Sequence, residues 1–330
     1  MPNPKSLSHE AKSLLTIISN PGKTDQMARF ALQNGALSAY HCYAHGTVPS
    51  HLLSLLGLAG VRREMVTLTV PKTQGSRLLN NLCEHFNIGK ETHGIAFLQN
   101  MDDGETDRGD YEYALIAVVV NEGVGEDVVD SARKSQPVGA TILKALGTAD
   151  HSKITFDFEI IPQKELVLII ARTCHVNALR QSILDGFDLD EPGHGILFSL
   201  ALDEVRGILD MVPKCEGDPT EETPDPGYQN DHTALLVGVD RGHSHDIVSC
   251  SESHGGTGAT ILHFRREEPY SQGWYGRLGD LEKEIVLIIA KKDLALEIED
   301  SLQIMKKSGD QEMALSKLRV TRFCRLTELG

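Results

Sequence analysis

The chain has 330 residues, a net charge of −15, 40% hydrophobic and 24% charged residues. That length suits two or three ordinary domains of globular composition. No apolar run approaches the roughly 18 residues that span a membrane. The acidic balance excludes nucleic acid as the main partner, because a polyanion selects a positive surface. Six scattered cysteines without a CxxC pair read as reduced thiols of a cytoplasmic protein. The opening "MPNPKSLSHEAKSLL" lacks the basic-then-apolar order of a signal peptide.

In chain order, "LLTIIS" from Leu14 is the first apolar run. His41 and His45 then alternate on a strand, without acidic or thiol partners at ligand spacing, so no metal site is assigned. "HLLSLLGLAGV" reads as a short helix in a loop, and "RREMVTLTV" follows it. The middle of the chain is clearer. Leu115 to Val120 is a continuous β-branched run and predicts a buried strand. "GEDVVDSARKSQ" has helical spacing, and "GATILKAL" and "KELVLIIA" predict two further strands. "CHVNALRQSILDGF" predicts a second helix and "GILFSLAL" a fourth strand. The order is β-α-β-β-α-β.

The chain repeats itself. His93 and His194 stand in similar "HGI" phrases, and 194 − 93 = 101. The same offset takes Gly46 to Gly147, Glu64 to Glu165 and "LLTIIS" to "LIAVVV". A second offset, 284 − 165 = 119, takes "QKELVLIIA" to "EKEIVLIIA", Thr141 to Thr260 and "LIAVVV" to "ALLVGV". Three copies of about 100 residues result, bounded near 1–105, 106–225 and 226–330. Acidic, Pro- and Gly-containing segments separate them, "MDDGETDRGDY" and "KCEGDPTEETPDPGYQND". The segments from Gly46 to Arg62, Gly147 to Pro162 and Arg265 to Leu281 are expected to be the most mobile, the last holding Trp274.

"GATIL", "EKEIVLIIA" and "GHGILF" followed by "ALDEVRGI" resemble the PII signal-transduction family, particularly its PII-like branch. The resemblance covers essentially the whole chain and is best in the second copy. It implies an α+β fold class: three ferredoxin-like βαββαβ units in tandem, packed face to face as an intramolecular pseudo-trimer. It also implies a non-enzymatic sensor that binds a small anionic ligand between units and signals through its loops to a regulatory target protein. The ligand class is an adenine nucleotide, ADP, AMP or ATP.

Carried onto this sequence, the phosphate turn is Gly193-His194-Gly195. The adenine walls are Gly139, Ala140 and Thr141, and Gly258, Ala259 and Thr260, while Gly147 stands at the base of a loop. A Gly-rich turn lets backbone N–H groups approach an anion, and it equally serves as a plain β-turn. Ile196 stands where the family has a lysine, and "VRGILD" keeps only Arg206 of two tail arginines, which weighs against a triphosphate. The first copy has Ser38 and Tyr40 as its wall, and the third has lost the turn. Tyr270 and Tyr275 lie in the right loop for the family's modified tyrosine but in another context. The pairing expected to bind is Gly193 and Gly195 with Gly258 and Thr260. The alternative reading is a metal-binding protein resembling the CutA family, with histidine ligands.

Overall fold

The computed structural model describes residues 11–47, 60–90, 94–101, 111–148, 154–155, 158–159, 162–187, 195–208, 231–267, 282–308 and 312–325. The first copy supplies β1 (Lys12–Ser19), α1 (Thr24–Gln33), β2 (Ser38–Thr47), β3 (Gly60–Pro71), α2 (Gly75–Phe86) and β4 (Gly94–Asn100). The second supplies β5 (Tyr113–Asn121), α3 (Gly125–Ser135), β6 (Ala140–Gly147) and the short strands β7 (Ile154–Thr155) and β8 (Phe158–Glu159). It continues with β9 (Gln163–Arg172), α4 (Val176–Leu184), β10 (Gly195–Leu202) and β11 (Glu204–Arg206). The third supplies β12 (His232–Asp240), α5 (Ser244–Ser253), β13 (Thr260–Arg266), β14 (Glu282–Lys291), α6 (Lys292–Ser308) and β15 (Ala314–Arg325).

These strands do not form three sheets, which corrects the expected fold class of three ferredoxin-like units in a PII-like pseudo-trimer. Thirteen strands join in one sheet, ordered β11-β4-β1-β3-β2-β13-β14-β12-β15-β10-β5-β9-β6, and β7 with β8 form a separate pair. Pairing of β2 with β6 closes nine of the thirteen into an antiparallel barrel. The expectation considered only the open faces of the units. Each copy also has strand edges, rows of N–H and C=O groups that need partners. Closing the ring satisfies them.

The closure has two parts. The second strands of the three copies pair with one another in a cycle. His45 and Gly46 of β2 face Ile142 and Thr141 of β6, Leu146 and Gly147 of β6 face Ile261 and Thr260 of β13, and Arg265 and Arg266 of β13 face His41 and Tyr40 of β2. In addition, the fourth-strand regions of the second and third copies each reach into the copy before. β11 pairs with β4 of the first copy, and the second half of β15 pairs with β10 of the second.

The apolar pattern explains how the sheet is covered. In β5, Leu115, Ala117 and Val119 point to an interior shared by all three copies, with Phe97, Phe198, Phe264 and Leu318. Ala114, Ile116, Val118 and Val120 point the other way, under α3 and α4. A run buried on both faces reads as continuous rather than alternating. The first and third copies have equivalent outer cores.

The repeated glutamate has a structural role. Glu284 Oε2 accepts from Gly242 N (3.1 Å) and Ser244 N (3.2 Å), Glu165 Oε2 from Gly125 N (2.7 Å), and Glu64 Oε2 from Gly22 N (3.0 Å) and Thr24 Oγ1 (2.5 Å). None of α1, α3 and α5 has a capping side chain of its own. A carboxylate from the third strand therefore satisfies N–H groups at or just before each helix N-terminus, on the side the helix dipole favours.

Cys174 is disulfide-bonded, which corrects the expectation that all six cysteines are reduced. Cys42, Cys83, Cys250 and Cys324 are free, and Cys215 lies outside the described residues. Among the described residues no helix is long and apolar enough to cross a membrane. Most of the three inter-strand loops, with Tyr270, Trp274 and Tyr275, lies outside the described residues.

Candidate functional site

A cavity of about 490 Å³ opens where the second and third copies meet. β15 builds one side of it. Its first half pairs with β12 and its second half with β10, through a register shift between Ser199 and Leu200. Ser199 Oγ and Thr321 Oγ1 lie 3.0 Å apart at that shift. The crossing sets Arg325 opposite Ile196 and Phe323 opposite Phe198. Phe323 stacks on His232 with centroids 4.2 Å apart, which gives the cavity an aromatic wall.

The opposite side is the corner between β6 and β13. Ala259 N donates to Thr148 Oγ1 (2.7 Å), and Thr148 N donates to Ala259 O (3.0 Å). This double bond pair fixes Gly258, Ala259 and Thr260 on the cavity wall beside Gly147 and Thr148.

The lining combines apolar groups, such as Val119, Leu287 and Leu294, with Lys164, Lys291 and Arg325. Among the described residues no lining residue is a carboxylate. Lys164 Nζ donates to Asn121 Oδ1 (2.6 Å) and Arg325 Nη2 to Thr257 Oγ1 (3.1 Å). Lys164, Lys291 and Arg325 together on this lining, in a chain of net charge −15, make a local positive field. The arrangement suits a ligand with an apolar or aromatic body and an anionic end.

Of the residues singled out in the sequence, Gly195, Gly258, Ala259, Thr260 and Gly147 line this one cavity. Gly139 and Thr141 do not. They lie at the corner between first and second copies, where Thr141 faces Gly46. Gly193 and His194 lie outside the described residues. Gly195 has a backbone reason to be glycine, with φ at +142°. Its first-copy counterpart Gly94 has φ +148°, and a Cβ there would lie 2.4 Å from Ile18 O. Glycine at this position therefore serves the fold whether or not a ligand binds.

The cations were missed in the sequence. Lys164 stands inside the quoted "QKELVLIIA" and Lys291 directly follows "EKEIVLIIA", but neither was singled out. Arg325 had a signal, because the offset of 119 takes Arg206 to Arg325. Arg206 itself donates to Glu204 Oε2 (2.8 Å) and Asn80 Oδ1 (3.3 Å), at the corresponding seam of the first and second copies.

Other reactive side chains stand outside this cavity. Burial pushes the Cys83 thiol up to about 11, and it also raises Cys42 and Cys250, which keeps these thiols protonated near neutrality. Ser301 Oγ lies 3.0 Å from His254 Nε2, but His254 Nδ1 sits 2.8 Å from the backbone Cys250 O rather than on a carboxylate. That pair joins the end of α5 to α6. Asp25, His41 and Glu267 converge at a third place, the seam of third and first copies. Comparison with protein-family models, with curated proteins and with solved structures finds no match.

Proposed function

We propose that this chain is a non-enzymatic, PII-like regulatory protein that binds one small anionic ligand between its second and third copies and passes the occupancy to a protein partner. The observation that carries this reading is the cavity's lining: Lys164, Lys291 and Arg325, an aromatic pair, and no carboxylate among the described residues. The phrases "GATIL", "EKEIVLIIA" and "GHGILF" support the same reading, through the family resemblance. An adenine mono- or diphosphate fits best, since His232 and Phe323 offer a stacking surface and three cations can meet one or two phosphates. The missing lysine of the family's turn is offset by cations from other strands, Lys291 of β14 and Arg325 of β15.

A thermal-shift panel of AMP, ADP, ATP and inorganic phosphate on the whole chain tests the reading. A ligand that binds only the folded form raises the melting temperature by mass action. ADP or AMP is expected to raise it in a concentration-dependent way, and Lys291→Glu is expected to remove the shift. No shift with any adenine nucleotide at millimolar concentration would refute the nucleotide reading.

A further inference from the structure

The cycle of second strands has three corners, and one of them differs from the others. Thr47 Oγ1 accepts from Ala140 N (3.1 Å) at the first corner, and Thr148 Oγ1 accepts from Ala259 N (2.7 Å) at the second. The offsets of 101 and 119 take Thr47 to Thr148 and Thr148 to Glu267. At the third corner the backbone bond is kept, with Glu267 N donating to Ala39 O (3.0 Å), but the threonine is gone. The facing strand residue changes too. Ile142 and Ile261 stand at the first two corners, and the same offsets place His41 at the third.

The fold therefore does not need a histidine and a glutamate here. Threonine and isoleucine do the same backbone work twice in this chain. The substituted residues meet a third group, Asp25 of α1. His41 Nδ1 lies 3.5 Å from Asp25 Oδ1, and one donor atom from each of Asp25, His41 and Glu267 lies within 4.8 Å of the others. His41 Nε2 is buried without a hydrogen-bond partner among the described residues. A histidine kept for structure normally has its ring nitrogens hydrogen-bonded. This ring has one long contact, to a carboxylate.

We propose that Asp25, His41 and Glu267 form a divalent transition-metal site, of which Zn²⁺ is the best-suited occupant, at the seam of the third and first copies. One imidazole and two carboxylates are a nitrogen–oxygen donor set that zinc accepts. The separation of His41 and Asp25 already matches two ligands of a tetrahedral ion with bonds of about 2.0–2.2 Å. Arg29 Nε donates to Glu267 Oε1 (2.7 Å). A carboxylate has two oxygens, so Arg29 holds one and orients the other, as partners of metal-ligating carboxylates do. The Asp25 side chain is 57% exposed, which leaves a route for the ion and for a water as fourth ligand. The site ties α1 and β2 of the first copy to the end of β13. Binding there would lock the corner that lacks a threonine clamp.

The test uses the whole chain, stripped with a chelator and titrated with Zn²⁺ against a competing chromophoric chelator. His41→Ile and Glu267→Thr install the residues that the other corners carry, so the fold tolerates both types in this setting. Circular dichroism checks each variant. The wild type is expected to bind one tight equivalent and to gain melting temperature with it. Each variant is expected to lose that equivalent, its affinity falling at least about tenfold. No tight equivalent in the wild type, or the same equivalent in both folded variants, overturns the proposal. The second result would assign the zinc to other histidines.

Discussion

The seam of the first and second copies and the seam of the second and third are built on the same backbone plan, yet they hold their cations differently. Position for position, the offset of 119 takes Glu204 to Phe323, Arg206 to Arg325, Tyr113 to His232 and Arg172 to Lys291. At the first seam Arg206 is held by Glu204, and Arg172 by Glu112, with its guanidinium carbon 5.0 Å from the centre of the Tyr113 ring. At the second seam, Phe323 replaces the glutamate and stacks on His232. Among the described residues the Arg325 side chain keeps only a hydroxyl partner, and the Lys291 side chain has no ion pair or hydrogen bond. One seam spends its cations on internal pairs, and the other leaves them facing a cavity. Duplication within one chain permits this, because each seam can change without changing the other two.

Both seams rest on the shared interior, so the comparison fails if the copies are independent. Phe198 is 2% exposed and central to that interior. Phe198→Ala is expected to cost about 3–5 kcal/mol, and urea unfolding should remain a single transition. Two or three separate transitions in the wild type would show that the copies fold alone.

The helix cap tests what the seams have in common. Glu284 is 6% exposed and accepts two backbone N–H bonds. Glu284→Ala should cost about 2–3 kcal/mol, as expected when hydrogen bonds to a charged group are lost. A denaturant midpoint unchanged within error would remove the capping role.

The corner threonine sharpens the comparison further. Thr148→Val deletes the acceptor for Ala259 N and is expected to cost about 1–2 kcal/mol. Glu267→Thr at the third corner should lie within about 0.5 kcal/mol of the wild type without metal, since it restores the residue type used at the other two. Equal losses for both would mean that the corners are not equivalent.

The smallest effect is at Cys83, beside the first seam. Burial raises its thiol to about 11, and nearby Arg206 pulls in the opposite direction. Alkylation by iodoacetamide should be slow at pH 8 and accelerate as pH approaches that value, because the thiolate is the nucleophile. Arg206→Ala should slow it further, and a fast reaction at pH 8 would contradict the burial argument.

Much of the local structure was legible because periodicity and the two offsets act within one copy. The offsets located Glu64, Glu165 and Glu284 before their capping role was known. The barrel was not legible. Which strand edges pair depends on contacts between distant residues of different copies, such as Arg265 with His41, and no local pattern encodes them. The cavity was half legible. Gly195 and Thr260 were read as site residues, whereas Lys164, inside a quoted strand phrase, and Lys291, just after one, are ordinary strand lysines until the fold brings them together. The Asp25, His41 and Glu267 cluster had no sequence signal as a set, because its ligands are spread over two copies.

The most direct measurement is calorimetric titration of the whole chain with ADP, repeated on Phe323→Glu, which gives the second seam the glutamate of the first. The expected result is one site per chain in the wild type and an affinity lower by about tenfold or more in the variant, since Arg325 then has an internal carboxylate to pair with. Three equivalent sites, no heat of binding with ADP or AMP, or an unchanged affinity in folded Phe323→Glu would contradict the assignment of the second seam as the binding site.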